Sequence, residues 1–400
     1  MFDPASIVVG LEIGTSKVCA AVGEITAQGA FKVMGLGQSR SRGVRKGEIT
    51  DPQKASEDIR QAIADAEQMA DVEIRSVFLG VTGAHIRGFN NRGIHPVVSA
   101  DRHITQDDVD DAIRNAKAVN LPHDHSVLHT IRQDFVVDDH DGVENPVEMY
   151  GARVEARVHV IHGQGNRLQN SIHAVQALQL SVEQVVFSGF ASALAVLGKE
   201  DKEMGSLVID FGAGVTEYAL YTNSLLRHSG VLAVGGDHVS NDLAIGLKIP
   251  LGRAEQLKLE HGGAEVGNDA KGTTVSLGSE PGASDRQVNL EHLRRIQSAR
   301  LEETFELIAQ DVGPMLSNAR AGIFLCGGGA RTRDVIAMAE RIFGLPAQIG
   351  RARDVSGSVA SLDHPEFAAP IGLARFGALR LRQQKPGTGW KSALGNWFRR

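Results

Sequence analysis

Two stretches of this chain obey one rule. An apolar run ends in an acid, passes one residue to a glycine and a small polar turn, and resumes as an apolar run. Leu207 to Tyr221 reads LVIDFGAGVTEYALY, and Val8 to Val22 reads VVGLEIGTSKVCAAV. Each spells a β-hairpin whose tight turn needs glycine. Glu12 falls on Asp210, Ile13 on Phe211, Gly14 on Gly212 and Ala21 on Ala219, all at a spacing of 198 residues. One acid-bearing hairpin is a common way to join two strands. Two at a fixed spacing across half a chain point to paired half-domains, with both acids closing on one ligand. Backbone N–H groups in a glycine turn can cradle phosphate, and a carboxylate beside it can hold Mg²⁺ through water.

Four hundred residues exceed one hydrophobic core, so two to four domains or subdomains are expected. With 42% hydrophobic and 22% charged residues and a net charge of −6, the composition is that of a soluble globular protein, and no nucleic-acid partner is expected. No apolar run approaches the ~18 residues of a membrane span. Asp3, Pro4 and Glu12 break any secretory pattern at the N-terminus. The two cysteines, Cys19 and Cys326, lack metal-ligand spacing and read as buried thiols in a reducing compartment.

Along the chain, Phe31 to Gln38 continues the strand pattern and Ser39 to Ile49 reads as a basic loop. Asp51 reads as the N-cap of a helix with Pro52 at its first position, and Ala55, Ile59, Ala62, Ile63, Ala66 and Met69 form one stripe. Val77 to Val81 is a strand, so the opening region is α/β. From Gly83 to Gly163 the texture changes. A Gly/Asn turn region, Gly83 to Gly93, leads to a helix capped by Thr105 with Asp108, with Ile104 and Val109 as a staple. Two strands follow, His125 to Val137 and Val154 to Val160, the second alternating as if buried on one face. His123, His125, His129 and His140 in this segment alternate with carboxylates in loop and strand-surface positions, which argues against a metal site.

Asn166 to Leu180 reads as a helix, VEQVVF as a strand and SGFASALAVL as a small-residue helix. Gly235 to His261 is helical, with Glu255 and Lys258 three residues apart on one polar face. Gly262 to Asn289 reads as loops and Leu290 to Leu316 as a long helix. GIFLCGGGA, Gly322 to Ala330, is a buried strand entering three glycines before another helix, a shape that lets backbone approach a ring or phosphate.

The C-terminal segment differs again. Arg375 to Arg400 carries seven Lys or Arg and no acid. QQKPGTG is a spacer reaching at most about 25 Å, and GWKSALGNWFRR follows it. At roughly 100° per residue, Trp390, Ala393, Leu394, Trp397 and Phe398 share an arc of about 140°. Lys391, Ser392, Gly395, Asn396, Arg399 and Arg400 fill the rest. Tryptophan favours the headgroup layer and Lys/Arg pair with anionic lipid, so the segment reads as a helix lying on a membrane. A helix of this length binds weakly alone, and several tails held together by self-assembly would bind firmly.

These motifs together resemble the FtsA family of bacterial cell-division proteins, within the actin-like ATPase superfamily. VVGLEIGTSKV resembles its first phosphate motif, DFGAGVTEY the second and FLCGGGA the adenosine motif. VGGDHVSNDLA with AEQLK, and FAAPIGLARFG, resemble further family stretches. ITQDDV, VLHTI, NPVEMYGAR and VHVI resemble the subdomain that marks this family within the superfamily.

The resemblance implies an α/β, two-lobed actin-like fold of duplicated ribonuclease-H-like domains. Its parts would be a first-lobe core at 1–83 and 164–204, an inserted subdomain at 84–163, a second-lobe core at 205–235 and 310–382, and a smaller second-lobe subdomain at 236–309. A linker at 383–389 and a membrane-targeting helix at 390–400 would follow. It implies ATP and Mg²⁺ as cofactors. Glu12 and Asp210 would face the hydrated metal, with Gly14, Thr15, Ser16 and Lys17 holding the β- and γ-phosphates and Gly212, Ala213 and Gly214 opposite. Glu255 and Lys258 would contact ribose and adenine over Gly327, Gly328 and Gly329. The implied partners are FtsZ, further copies of the chain, anionic phospholipid through the tail, and later division proteins. The implied location is the cytoplasmic side of the membrane at the septum.

Three departures bear on hydrolysis. Ala213 replaces the middle glycine of the second motif, and Val215 replaces its usual hydroxyl residue. Ser188 occupies the position where relatives orient the attacking water with Glu or Gln, and a serine is a poor base at neutral pH. Slow hydrolysis is therefore expected. The alternatives within the superfamily are a small-molecule kinase, which needs a base Asp in the cleft, and a pilus-assembly ATPase, which lacks its own lipid anchor.

Overall fold

The computed structural model describes residues 7–26, 30–276, 287–357 and 362–384. Three antiparallel strands open it: β1 (Ile7–Ile13), β2 (Lys17–Ile25) and β3 (Phe31–Arg40). A small ribbon of β4 (Val44–Arg45) with β5 (Glu48–Ile49), helix α1 (Pro52–Ala70) and β6 (Ser76–Val81) follow. The inserted segment holds β7 (Arg87–Pro96), α2 (Gln106–Lys117), β8 (His125–Val137), β9 (His140–Val143) and β10 (Arg153–Gln164). Then come α3 (Gly165–Gln176), β11 (Ser181–Phe187), α4 (Ser188–Val196) and the short α5 (Lys199–Met204).

The second half repeats the opening with β12 (Ser206–Phe211), β13 (Thr216–Thr222) and β14 (Leu225–Leu232). Helices α6 (Gly236–Leu247) and α7 (Leu251–His261) and a ribbon of β15 (Thr274–Ser276) with β16 (Gln287–Asn289) lead to α8 (Leu290–Val312). The chain closes with β17 (Ile323–Cys326), α9 (Val335–Phe343), β18 (Ala347–Ile349), β19 (Val355–Ser356) and α10 (Ala368–Gln384).

The two main sheets run β11-β6-β1-β2-β3-β19 and β14-β13-β12-β17-β18. The five strands of the second correspond to β3, β2, β1, β6 and β11 of the first, which adds β19 at its edge, and the register repeats at the spacing seen in the sequence. Glu12 pairs with Cys19 and, in parallel, with Gly80. Asp210 pairs with Glu217 and, in parallel, with Cys326.

Between the sheets lie α4 and α10. One continuous core joins Phe190 and Val196 of α4 and Ile371 and Phe376 of α10 to Phe78 of the first sheet and Val208, Tyr221 and Phe324 of the second. The opposite face of the second sheet, Leu207, Ile209 and Ile323, packs on Leu301 and Phe305 of α8 and Met338 of α9. Because side chains alternate along a strand, this assigns each acid a direction. Asp210 shares the inward face with Val208. Glu12 shares a face with Gly10, where a Cβ would lie 2.3 Å from the Pro370 carbonyl oxygen of α10. Both acids point into the layer between the sheets. Phe376 is fully buried there against Phe78 and Phe190, and its truncation to alanine would cost about 3–5 kcal/mol.

Several local expectations hold. The Asp51 carboxylate accepts from the Lys54 N–H at the start of α1, and Thr105 and Asp108 form a reciprocal capping box on α2. Three differ. The Gly/Asn region 83–93 contains most of β7, an edge strand, half of it exposed, whose residues carry no apolar alternation. β10 is buried on both faces, and on its polar face His159 meets Ser229 of β14. Helix α10, grouped by sequence with the second-lobe core, packs on β1 and α4 instead, where Gly372 lets the two helices touch at the Ala191 carbonyl.

The seam on β10's polar face fastens the inserted subdomain to β14. Gln133 Nε2 donates to the Leu226 carbonyl at 2.7 Å, Asn90 Nδ2 to the Arg227 carbonyl at 2.9 Å, and Arg227 pairs with Asp134 through both of its terminal nitrogens. His159 is fully buried between Asn90 Oδ1 at 2.7 Å and Ser229 Oγ at 2.8 Å. The amide oxygen can only accept, so Nδ1 carries the proton and Nε2 accepts from the serine. Burial pushes the pKa of His159 down to about 3.

Candidate nucleotide site between the lobes

The two acidic turns are built alike. In the first, the Gly14 N–H donates to the Lys17 carbonyl at 3.0 Å; in the second, the Gly212 N–H donates to the Val215 carbonyl at 3.0 Å. A Cβ on Gly14 would stand 2.7 Å from the Lys17 oxygen, and one on Gly212 would stand 2.8 Å from the Val215 oxygen. Glycine is therefore required at both for the same steric reason. The turns also meet: a Cβ on Gly214 would lie 2.3 Å from Thr15 Oγ1. Thr15 in turn accepts from the Gly47 N–H at 2.9 Å, while the Ser16 carbonyl accepts from Ser41.

Behind the turns three carboxylates gather. Burial, then the charge of Asp210, pushes Glu12 up to about 7, against the pull of Lys17. Burial also raises Asp210, although the Ser192 hydroxyl, Lys17 and the Cys326 thiol favour its charged form. Glu217 is held well above the usual carboxylate range, by burial and then by the Asp210 charge. The Thr82 hydroxyl and the Gly189 N–H, at 3.1 Å, partly oppose this. Glu12 Oε2 is shut off from solvent and has no hydrogen-bond partner. Three desolvated carboxylates beside one ammonium form a donor set short of positive charge, which suits a divalent cation. Among the described residues no group of three His, Cys, Asp or Glu stands in direct metal-ligand geometry.

The other expected residues gather on the second turn. The Gly236 N–H donates to the Gly212 carbonyl at 3.0 Å and the Asp237 N–H to the Ala213 carbonyl at 2.8 Å, which seats α6 on the turn. Lys258 Nζ reaches back to the Gly236 carbonyl at 3.0 Å and to Glu255 Oε2 at 2.6 Å, and Ser240 donates to the same carboxylate. The three glycines divide by role. A Cβ on Gly327 would strike Asp210 Oδ1 at 2.3 Å, and one on Gly329 would strike the Phe211 ring at 2.0 Å, whereas Gly328 faces open space. Of the three, only Gly328 has open space where a side chain would stand. Lys17 Nζ donates to the Glu366 carbonyl at 2.6 Å and lies 4.3 Å from the centre of the Phe367 ring.

Ser188 is buried at the start of α4, its hydroxyl beside Gly80, and donates to neither acid. Ser192, one turn further on, reaches Asp210. Ser192 and Glu217 are the residues that sequence reading passed over. Glu217 carried a signal, since it occupies the apolar phase of Val215, Ala219 and Tyr221 where a surface acid does not belong. Two cavities of about 410 Å³ lie elsewhere, one along β18 with Arg351 and Arg353, the other between β8, α3 and β11. The residues of the proposed lipid anchor, Trp390, Lys391, Leu394, Trp397, Phe398, Arg399 and Arg400, lie outside the described residues.

The chain is similar to known proteins along nearly its whole length. Residues 207–372 match the family model "Cell division protein FtsA", and residues 83–162 match "SHS2 domain inserted in FTSA". Cell division protein FtsA of Pseudomonas aeruginosa is 35% identical over 383 residues, covering 95% of this chain and 91% of that protein. The Neisseria meningitidis protein is 37% identical over 91% of this chain and 88% of its own, and the Escherichia coli K12 protein 32% identical over 98% of each. Among solved structures, the PilM–PilN type IV pilus biogenesis complex matches with a TM-score of 0.64 at 16% identity, over 93% of this chain and 98% of that one. MreB5 of Spiroplasma citri bound to ADP matches with a TM-score of 0.58 at 14% identity, over 96% and 100%. These structural likenesses establish an actin-like fold.

Proposed function

The chain belongs to the FtsA family of cell division proteins, and on that premise we propose that it binds Mg·ATP between its lobes and polymerises on the inner face of the membrane. There it tethers FtsZ filaments at the septum and recruits later division proteins. The observation that carries this reading is the meeting of Glu12 and Asp210, from corresponding turns of two lobes, in one desolvated and cation-poor crevice. The solved MreB5 relative is bound to nucleotide, which supports the same use of the fold here.

Glu12 and Asp210 would hold the hydrated Mg²⁺, which when bound neutralises phosphate charge. Gly14, Thr15, Ser16 and Lys17 would hold the phosphates from one side, and Gly212, Ala213 and Gly214 from the other. Glu255 and Lys258 would meet the ribose and adenine, with Gly328 beneath. Glu217, held by the Gly189 N–H beside Asp210, stands well above the usual carboxylate range through burial. Hydrolysis is slow on this reading, because Ser188 has no base beside it and Val215 offers no hydroxyl. Single-turnover cleavage on the order of one per second, as in efficient phosphoryl-transfer enzymes, would contradict it.

No helix among the described residues is long and apolar enough to cross a membrane. Attachment would rest on residues 390–400, and the FtsZ surface on the smaller second-lobe subdomain near 236–309. Co-sedimentation with anionic liposomes tests the whole reading. The full chain with Mg·ATP should pellet and carry FtsZ with it, and a chain ending before residue 389 should stay in solution. Equal pelleting of both chains would remove the anchor from the proposal.

A further inference from the structure

The first residue of α10 is preceded by a one-turn segment, Pro365–Phe367, that both lobes grip. From the first lobe, Lys17 Nζ donates to the Glu366 carbonyl at 2.6 Å and sits over the Phe367 ring. From the second, the Gly327 N–H donates to the Pro365 carbonyl at 2.9 Å, and Arg331 Nε pairs with the Glu366 carboxylate at 3.0 Å. Lys17 belongs to the first phosphate turn and Gly327 to the glycine loop, so one short segment touches both halves of the candidate site. It then passes directly into α10, which lies against β1 at Gly10 and against α4 at Ala191.

We propose that Pro365–Phe367 is a phosphate-sensing strap, a reading that rests on nucleotide binding in this crevice. Without phosphate, the Lys17 ammonium is satisfied by a carbonyl and a ring face, two contacts that it makes well. A triphosphate between the turns offers the same ammonium a stronger, charge-assisted partner. Lys17 then leaves the strap, while Gly327 and Arg331 keep their hold from the second lobe. The strap is thereby released from Lys17 of the first lobe and kept by the second, and it leads directly into α10, the helix that precedes the C-terminal segment in sequence. A ligand shifts such an equilibrium only through its different affinity for the two arrangements, and here that difference is the loss of one ammonium contact and the gain of another.

The test is hydrogen–deuterium exchange of the full chain, with and without a non-hydrolysable ATP analogue and Mg²⁺. Occupancy is measured in the same samples with a fluorescent nucleotide. At saturation, amides of the strap and the first turn of α10 should exchange about 3- to 10-fold faster, while the Gly14–Lys17 turn slows. In Lys17→Met the strap should exchange fast with or without nucleotide. In Phe367→Leu, which weakens the resting place of the ammonium, nucleotide should bind several-fold more tightly and the strap difference should shrink. Saturated binding with unchanged or slower strap exchange would overturn the strap and leave nucleotide binding intact. No binding by the unaltered chain would overturn the underlying reading as well.

Discussion

The two acidic hairpins share strand pairing, turn geometry and even the hydrogen bond that closes the turn, yet they have diverged at corresponding positions. Lys17 in the first answers to Val215 in the second, and Cys19 opposite Glu12 answers to Glu217 opposite Asp210. The first hairpin thus supplies the site with one acid and the nearby cation, and the second hairpin supplies two acids and no cation. Asp210 is tied to Ser192, whereas Glu12 keeps an unpartnered oxygen. A duplicated scaffold fixes where the groups stand, and single substitutions at matched sites decide what each half contributes. Symmetry is structural here, and chemistry is not symmetric.

The largest effect should come from removing either acid's charge. Glu12→Gln and Asp210→Asn should each weaken Mg²⁺-dependent nucleotide binding about 10- to 100-fold in an equilibrium titration, since hydrogen bonds to charged groups contribute about 1.5–3 kcal/mol. A loss confined to one of them would break the paired-acid reading. Next, Gly14→Ala and Gly212→Ala should each destabilise the chain by about 1–3 kcal/mol through the same clash with a turn carbonyl, measured by denaturant unfolding. Unequal losses would show that the turns are not equivalent.

A third comparison uses pH. Folded, Glu12 keeps its proton up to about 7, against 4.5 for an ordinary glutamate. Between those values the folded chain binds the extra proton, so its stability falls as pH rises across the window. Gln is neutral at every pH. Without metal and nucleotide, Glu12→Gln should therefore melt higher than the unaltered chain at pH 8, by on the order of 2–5 °C, and the gap should close below pH 5. A lower melting temperature at pH 8 would show that the Glu12 charge is already compensated. The smallest expected effect is a gain: Val215→Thr restores a hydroxyl at the second turn and should tighten nucleotide binding about 2- to 10-fold, one ordinary hydrogen bond's worth.

Much of this was legible without coordinates. The hairpins, the cap at Asp51, the capping box of α2 and the strand into three glycines all follow local rules of spacing and turn chemistry. Other features were hidden for identifiable reasons. β7 is an edge strand and shows no apolar alternation. The polar face of β10 reads as solvated because nothing in its own sequence marks β14 as its cover. Ser192 lies in a helix of small residues where any position would serve as well. The contact from Lys17 to Glu366 joins residues 349 apart, and no local pattern encodes it.

The sequence by itself determined that there are two matched halves, that each carries an acid on a glycine turn, and that an extra subdomain interrupts the first, because hydrophobic period and turn sterics act over a few residues. Only the tertiary structure decided which way those acids face, that Glu217 and Ser192 join them, and that α10 crosses to the first sheet behind a strap held from both sides. Those outcomes depend on which buried surfaces meet between the sheets, and the free energy of desolvating and pairing charge is set there by groups distant in the chain.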